Sequence, residues 1–282
     1  MIADPIDMAV ARATLPGIGS AIFKEKHAMR PSWKLPAVVA HRCGGALAPE
    51  NTLAGLEIAA ALGVRGVEFD VQLSADGEPV VIHDDTLART GGLNHRVDGL
   101  TRDRLIACDV GARHHRAFAG ECLPDLARIA EACRRLGLVA NVEIKCDDRE
   151  GERVGAAVAR ACMRLWHGDP SPPLLSSFST EALAAARAEA PDLARALLVE
   201  GVPRDWRPRT EALGCVALHC RAADLDDADV ADVRASGLRI AAYTENDPAR
   251  AAHWFAIGVD ALFTDRPDRL MACLPAGAGH LP

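Results

Sequence analysis

Acidic and histidine side chains stand at the ends of short apolar runs in the first half of this sequence. Glu68 and Asp70 alternate along one such run, while His41 and His83 each close another. Because residues two apart on a β-strand point to the same face, the two carboxylates converge. Converging carboxylates bind a metal ion or form an acid–base pair, and histidine exchanges protons near neutral pH. The pattern predicts one polar site with metal-binding or acid–base chemistry.

A third run of the same kind ends in Glu143 and Lys145. No cysteine or third histidine accompanies the acids at ligand spacing, and oxygen-only ligation favours Mg2+ or Ca2+ over zinc. A single acid at a strand end is as often a helix cap or an arginine partner, so only the three carboxylates Glu68, Asp70 and Glu143 together predict a cation site. Arg42 and Lys145 add positive charge, and the arginine fork matches a phosphate group. We therefore expect an anionic group beside the cation.

Short β-rich runs alternate with stretches of helical period along the chain, which predicts a parallel sheet wrapped by helices. The predicted strands are Ala37–His41, Val64–Leu73, Pro79–His83, Leu138–Lys145, Leu174–Phe178, Ala194–Val199, Cys215–His219, Leu238–Thr244 and Ala261–Thr264. The predicted helices between them include Thr52–Leu62, Leu123–Leu136, Glu152–Trp166, Thr180–Glu189 and Pro248–Ile257. These nine runs are one more than a (β/α)8 TIM barrel uses.

The second and third predicted strands form a pair that resolves this excess. The five residues between Leu73 and Pro79 are too few for a parallel crossover, and Asp76-Gly77 is a strong hairpin signal. An antiparallel hairpin leaves eight strands for an α/β fold of the (β/α)8 TIM-barrel type. A two-residue turn at Asp76-Gly77 places Asp70 opposite His83, which brings the histidine back to the level of the carboxylates.

The same reading divides the chain into regions. Residues 1–36 precede the first strand as an N-terminal extension, and residues 37–282 form a single TIM-barrel domain. The segment from about 85 to 122 is rich in histidine, arginine and glycine and contains no barrel strand. We interpret it as a small insertion over the C-terminal mouth of the barrel. Its histidines, His95, His114 and His115, are expected at the surface.

Composition excludes several classes of protein. The chain has 282 residues, of which 49% are hydrophobic, and a net charge of -7, which argues against a nucleic-acid surface and against an electrostatic membrane patch. Its nine cysteines form no CxxC pair, so we expect reduced and mostly buried thiols. No run of about eighteen apolar residues is present, and Asp4 and Asp7 stand where a signal peptide carries lysines. We expect a cytoplasmic protein with a small-molecule substrate; homo-oligomerisation is left open.

Further motifs follow in unbroken order between residues 37 and 270. They are His41-Arg42, Ala48-Pro49-Glu50-Asn51-Thr52-Leu53, Glu68-Phe69-Asp70-Val71, Val80-Val81-Ile82-His83-Asp84, Leu87-Ala88-Arg89-Thr90, Glu143-Ile144-Lys145, Ser176-Ser177-Phe178, Thr244-Glu245-Asn246-Asp247 and Thr264-Asp265-Arg266-Pro267. Together they resemble the glycerophosphodiester phosphodiesterases, most closely the short cytosolic bacterial members.

The resemblance implies a TIM barrel that hydrolyses glycerophosphocholine, glycerophosphoethanolamine and similar deacylated phospholipids to sn-glycerol 3-phosphate and an alcohol. By this resemblance, the metal ligands are Glu68, Asp70 and Glu143. The general acid and base are His41 and His83, and the phosphate is bound by Arg42 and Lys145. Tyr243 stands where the family usually carries tryptophan, and it keeps an aromatic platform for the glycerol side. The resemblance does not tell which histidine is the acid.

Three positions depart from the family pattern or stay open. Cys43 replaces a glycine after the His-Arg pair, so its side chain is expected to crowd the phosphate or to require a backbone shift. Glu245 adds an acid near the mouth, which would favour a cationic headgroup such as choline or ethanolamine. His219 ends the predicted sixth barrel strand and either points into the pocket or has a structural partner.

Two residues of the Pro49–Leu53 motif allow more than one role. Asn51 is expected to cap the helix that begins at Thr52, since asparagine accepts hydrogen bonds from unpaired helix amides. Glu50 orients His41 or Arg42, or it sits at a helix start where the dipole favours an acid.

Three other functions are weighed against the main hypothesis. A phospholipase D-like or phosphoinositide-type phosphodiesterase of the same barrel superfamily would need an apolar rim or a membrane-binding helix. A catalytically dead phosphodiester-binding protein would not need His41 and His83. An aldolase-like barrel would use Lys145 for a Schiff base but leaves the acids around it unexplained. For hydrolysis itself, attack by the neighbouring glycerol hydroxyl is favoured over direct attack by water.

Overall fold

The computed structural model of the protein describes residues 32–147 and 149–272. Within them nine strands form one sheet: β1 Val38–Ala40, β2 Gly66–Leu73, β3 Pro79–Val81, β4 Val139–Ile144, β5 Leu174–Ser177, β6 Ala194–Val199, β7 Ala217–Arg221, β8 Arg239–Tyr243 and β9 Ala261–Thr264. Eight of them are parallel and close into a barrel, because β1 pairs with β2 on one side and with β9 on the other. The predicted (β/α)8 TIM barrel is confirmed, and each strand boundary lies within two residues of its prediction.

Helices separate the strands and cover the outside of the barrel. They are α1 Leu53–Ala61, α2 Arg102–Leu105, α3 Leu126–Leu136, α4 Gly151–Leu165, α5 Thr180–Glu189, α6 Trp206–Leu213, α7 Asp227–Ala235, α8 Pro248–Ile257 and α9 Pro267–Met271. Side chains that accept from backbone N–H groups cap five of these helices: Thr52 for α1, Asp125 for α3, Ser179 for α5, Asp226 for α7 and Asp247 for α8. These caps fix where each helix starts after its strand.

The β2–β3 hairpin forms as predicted, but its register differs by one residue. Val71 pairs with Val81, and the N–H of Ile82 donates to the carbonyl of Asp70 at 2.9 Å, so Ile82 and not His83 lies opposite Asp70. The predicted two-residue turn is wrong because the loop has three residues, with Gly77 in the left-handed region at φ +79°. A shift of one residue exchanges the faces of a strand. His83 therefore approaches the barrel mouth from the segment after β3.

Residues 85–122 contain no barrel strand and connect β3 to α3. Besides α2 they form two 3-10 helices, Val97–Gly99 and Arg116–Phe118. Their apolar side chains make a separate small core with the hairpin, which includes Val80, Ile82, Leu87, Leu105 and Leu123. His95, His114 and His115 are exposed, as predicted. The domain limits at residues 37 and 282 and the extension 1–36 stay predictions, since residues 1–31 and 273–282 lie outside the described part.

Inside the barrel, below the site, small side chains such as Ala196, Ala217 and Ala241 leave space that aromatic rings fill. His219 is fully buried there, with ring centroids 6.0 Å from Trp33 and 5.1 Å from Phe263. Neither ring nitrogen has a hydrogen-bond partner among the described residues, and burial lowers the pKa of His219 to about 3. Of the two expectations for this residue, full burial speaks against a pocket position, and its structural partners are the two aromatic rings, against which it packs as a neutral side chain.

A buried arginine side chain stabilises the end of the barrel opposite the polar site. The guanidinium of Arg195 in β6 donates to five backbone carbonyl oxygens, the closest being that of Leu193 at 2.7 Å. We expect Arg195→Met to lower the free energy of unfolding by about 2–4 kcal/mol, because it leaves these carbonyls unpaired. Urea unfolding measures the loss. Arg128→Met, at an exposed position on α3, is the control and should change stability by less than about 0.5 kcal/mol; an equal effect in both variants would refute the prediction.

The cysteines agree with the expectation of free thiols where the structure describes them. Cys43, Cys133, Cys162, Cys215 and Cys220 are buried thiols, and Cys108 and Cys122 are partly exposed ones. Across residues 32–147 and 149–272, no helix is both long enough and apolar enough to cross a bilayer.

Candidate active site

Three carboxylates meet at the carboxyl ends of two adjacent strands. Glu68 and Asp70 leave the same face of β2, and the parallel register of β2 with β4 sets Glu143 beside Asp70. One carboxylate oxygen from each residue lies within 4.8 Å of the others, and Glu68 and Asp70 are almost fully buried. The sequence predicted this convergence correctly because parallel strands end at one edge of the sheet.

The electrostatics of this cluster suit a bound positive charge. Burial, and then the neighbouring Asp70, raise the pKa of both Glu68 and Glu143 above the ordinary carboxyl value. Lys145 Nζ offsets part of the repulsion, at 3.2 Å from Glu143 Oε1 and 3.7 Å from Asp70 Oδ1. Glu68 Oε1 is buried and has no hydrogen-bond partner among the described residues. An oxygen-only donor set with an unpaired buried oxygen fits a hard divalent cation.

His41 lies directly after β1 and bridges two carboxylates. Its Nδ1 is 2.7 Å from Asp265 Oδ1, and its Nε2 is 3.9 Å from Glu68 Oε2. Burial lowers the pKa of His41, but the hydrogen bond to Asp265 and the charge of Glu68 outweigh burial and raise it overall. The imidazole is therefore held by Nδ1 and presents Nε2 toward the carboxylate cluster.

Asp265 was quoted in a motif of the sequence, but no role was predicted for it. It follows β9, and its Oδ2 accepts a hydrogen bond from Asn246 Nδ2 at 3.2 Å, while Asn246 Oδ1 accepts from the Asp265 N–H at 2.8 Å. The hydrogen bond from His41 lowers the pKa of Asp265. The other acids were found because they stand at strand ends, and Asp265 stands directly after β9, which pairs with β1 in the barrel. This position was the sequence signal that could have identified Asp265 as a site residue.

Arg42 is fixed among three carboxylates. Its backbone N–H donates to Glu68 Oε2 at 2.8 Å, and its Nη1 donates to Glu50 Oε1 at 3.1 Å. Its Nε lies 3.8 Å from Asp70 Oδ2, is buried, and has no hydrogen-bond partner among the described residues. The backbone of Arg42 is in the left-handed region at φ +49°, a strained conformation that is common at functional sites. The guanidinium is placed to bind an anionic oxygen at the cluster.

Asn51 does not cap the helix, so that prediction is wrong. Thr52 caps α1 by accepting from the N–H of Gly55 at 3.2 Å. The amide of Asn51 instead donates to Asp70 Oδ2 at 2.9 Å and accepts from the Asp70 N–H at 3.2 Å. A buried carboxylate needs such partners, and Asn51 tolerates the left-handed backbone, at φ +58°, that aims its side chain inward.

His83 is held in the same manner as His41, by its Nδ1. That nitrogen is 2.7 Å from Asp84 Oδ1, and Asp84 in turn accepts two hydrogen bonds from Arg89. Arg89 is the main cause that lowers the pKa of Asp84, with His83 adding to it. Asp84 and Arg89 both belong to motifs of the sequence, but no local pattern indicates that they contact each other.

Two residues with sequence predictions, Tyr243 and Glu245, lie at the end of β8 and after it. Tyr243 ends β8, donates its hydroxyl to the Val199 carbonyl at 2.8 Å, and meets the exposed ring of Phe178 edge to face at 6.1 Å. Glu245 is buried and accepts from Arg250 Nε at 2.8 Å and from Trp254 Nε1, so its expected attraction for a cationic headgroup is wrong.

Cys43 does not crowd the barrel mouth. Its side chain is fully buried in the core against Gly55 of α1, where an added Cβ would lie only 2.9 Å from the Cys43 Cβ. Its backbone is in the left-handed region at φ +74°, where a glycine would be free of strain. The glycine at position 55 makes room for the cysteine side chain.

A closed barrel with buried carboxylates and braced histidines at the carboxyl ends of its strands defines an enzyme of the (β/α)8 class. The chain belongs to the glycerophosphoryl diester phosphodiesterase family, whose model matches residues 41–269. It is therefore a phosphoric diester hydrolase, and the resemblance found in the motifs is confirmed.

Individual relatives agree with this assignment. The chain is 29% identical over 243 residues to a glycerophosphodiester phosphodiesterase of Caldanaerobacter subterraneus, covering 85% of this chain and 98% of the relative. Among solved structures, a phosphodiesterase of Oleispira antarctica in complex with the product sn-glycerol 3-phosphate superposes with a TM-score of 0.80 at 34% identity, covering 85% of this chain and 96% of the other. A glycerophosphodiester phosphodiesterase of Agrobacterium tumefaciens gives 0.70 at 28% identity, covering 84% and 100%.

Proposed function

We propose that this enzyme hydrolyses glycerophosphodiesters of small alcohols, such as glycerophosphocholine and glycerophosphoethanolamine, to sn-glycerol 3-phosphate and the alcohol. Glu68, Asp70 and Glu143 would hold the cation, Mg2+ or Ca2+. The observation that carries the proposal is the unpaired, buried Oε1 of Glu68 in an oxygen-only cluster, with His41 Nε2 only 3.9 Å from the other oxygen of the same carboxylate. The Oleispira relative, with its bound sn-glycerol 3-phosphate, supports the product.

The first function of the site is to neutralise the negative charge of the phosphodiester. When bound, the cation supplies positive charge to a phosphate oxygen as negative charge builds up on the leaving oxygen. Arg42 and Lys145 complete this neutralisation, since each has a cationic group within 4 Å of Asp70. Arg42 binds with the fork geometry that suits two phosphate oxygens, whereas Lys145 acts as a point charge. Carboxylates hold the Arg42 and Lys145 side chains in place before the substrate binds, so these side chains need little reorganisation.

Proton transfer is the task of His41 and His83. One imidazole takes the proton from the glycerol hydroxyl next to the phosphorylated carbon, whose oxygen forms a bond to phosphorus while the bond from phosphorus to the alcohol oxygen breaks. The other imidazole gives a proton to the departing alcohol. Water then adds to the phosphorus of the cyclic phosphate and loses its proton to the imidazole that protonated the alcohol, while the bond from phosphorus to the ring oxygen at the neighbouring carbon breaks and that oxygen regains a proton from the first imidazole. Each histidine thus serves both halves of the reaction and is restored.

The rim sets which groups flank the phosphate. Tyr243 and Phe178 form an aromatic wall that suits the carbon atoms of a glycerol unit or of a small alcohol. The proposal includes a role in glycerol and phospholipid turnover and a cytoplasmic location. Within the described part of the chain, the free thiols named above, such as Cys43 and Cys133, favour a reducing compartment.

A coupled assay for released glycerol 3-phosphate tests the function. We expect turnover of several headgroup diesters, loss of activity in chelator, and recovery with Mg2+ or Ca2+. An analogue without the neighbouring hydroxyl should bind comparably and react far more slowly, because it lacks the internal nucleophile. Equal turnover of that analogue would establish direct attack by water. Activity only on acylated phospholipid in vesicles would replace the proposal with a phospholipase D-like function.

A further inference from the structure

Arg89 makes paired contacts with two different carboxylates. It lies in the segment between β3 and α3, and its Nη1 and Nη2 donate to Glu50 Oε2 and Oε1 at 2.5 and 2.8 Å. Its Nε and Nη2 donate to Asp84 Oδ2 and Oδ1 at 2.7 and 2.9 Å. A single guanidinium thus occupies four carboxylate oxygens.

Each of those carboxylates holds a different member of the proposed site. Asp84 Oδ1 lies 2.7 Å from Nδ1 of His83, and Glu50 Oε1 accepts from Nη1 of Arg42 at 3.1 Å. Arg89 is therefore the common point between the histidine that transfers protons and the arginine that binds phosphate. His83 lies beyond the end of β3, where its backbone carbonyl accepts from Gln72 Nε2 at 2.9 Å, while Asp84 is the hydrogen-bond partner of its ring among the described residues.

A simple stabilising ion pair does not account for this arrangement. The Arg89 side chain is 49% exposed, and exposed ion pairs contribute little to the free energy of unfolding. What two bidentate contacts do supply is orientation, since guanidinium and carboxylate planes fit in few relative positions. Glu50 and Asp84 come from separate loops, one before α1 and one after β3, so Arg89 also fixes the distance between these loops.

We propose that Arg89 is a positioning residue, through which the insertion at 85–122 orients His83 and Arg42 for the same phosphodiester. The inference rests on the proposed function. Lysine cannot reproduce the contacts of Arg89, because its three donors radiate from one nitrogen and cannot form two bidentate pairs with fixed planes. The insertion accordingly contributes to the active site through Arg89.

The test compares Arg89→Met and Arg89→Lys with a matched control in the same insertion. Arg96 makes a bidentate pair with Asp98 and is 61% exposed, so Arg96→Met removes a similar contact away from the site. We expect kcat/KM of both Arg89 variants to fall about tenfold to hundredfold, the range typical for residues that orient site groups, with melting temperatures close to wild type. Arg96→Met should keep wild-type kinetics.

Two partner variants separate the two halves of the role. Asp84→Asn should lower mainly kcat through His83, and Glu50→Gln should raise mainly KM through Arg42, whereas Arg89→Met should do both. The double variants Arg89→Met/Asp84→Asn and Arg89→Met/Glu50→Gln should lose little beyond the worse single variant, since the contact is already gone. Added guanidinium ion should restore part of the activity of Arg89→Ala.

Two results would overturn the inference: kinetics of Arg89→Met within about twofold of wild type, or full additivity with both partner variants. A loss that merely follows a lowered melting temperature, without guanidinium rescue, would also overturn it. These outcomes presuppose an active wild-type enzyme. Wild-type protein without turnover of any glycerophosphodiester would instead refute the proposed function, which keeps the two failures distinct.

Discussion

Replacing Glu68 by glutamine is expected to lower kcat/KM about a hundredfold to a thousandfold, the loss typical for a group that stabilises transition-state charge. The amide keeps the shape of the side chain but removes the negative charge that would hold the proposed cation. Because burial and Asp70 disfavour the ionised Glu68, the same substitution should not destabilise the cation-free protein. Assays of glycerol 3-phosphate release and thermal unfolding in chelator measure the two effects. Glu200→Gln, at the exposed end of β6, is the control, and wild-type turnover in Glu68→Gln would remove Glu68 from the site.

The cation should also stabilise the folded protein in a pH-dependent way. Burial raises the folded-state pKa of Glu68 and Glu143 above the usual 4.5, so without a cation the folded protein retains protons that the unfolded chain releases. Stability of the cation-free protein must then fall as the pH rises above the unfolded value. Added Mg2+ or Ca2+ should raise the melting temperature more at about pH 8 than at about pH 5, since protons compete at the lower pH. An equal shift at both pH values would contradict the site.

Alanine at His41 or at His83 should reduce kcat/KM about a hundredfold or more, the contribution typical of general acid–base catalysis. A nitrophenyl phosphodiester separates the two roles, because nitrophenolate leaves without a proton. We expect only the variant that lacks the general acid to recover on this substrate when nitrophenol release is followed. His95→Ala, an exposed residue of the insertion, serves as the control. Equal losses for both variants on the activated substrate would show that the histidines have no separate roles.

Local pattern predicted the fold because its signals repeat along the chain. Each strand of the barrel is a short apolar run, and each boundary was found within two residues. The hairpin was recognised from Asp76-Gly77, but its register was missed by one residue, since a glycine in the left-handed region fits two-residue and three-residue loops alike. Asn51 was misread for a similar reason: its residue type suits a helix cap and equally suits a buried carboxylate, and only the position of Asp70 decides between them.

The sequence by itself determined the barrel and the convergence of Glu68, Asp70, Glu143 and His41, because parallel strands of one barrel must end at one edge. Only the tertiary structure decided what each of these side chains touches. Asp265 lies 224 positions from His41, and Arg89 joins Glu50 to Asp84 across two loops, contacts that no local periodicity encodes. Glu245 likewise turned inward to Arg250 and Trp254. Periodicity fixes which face a residue occupies, whereas loop path and side-chain packing select its partner.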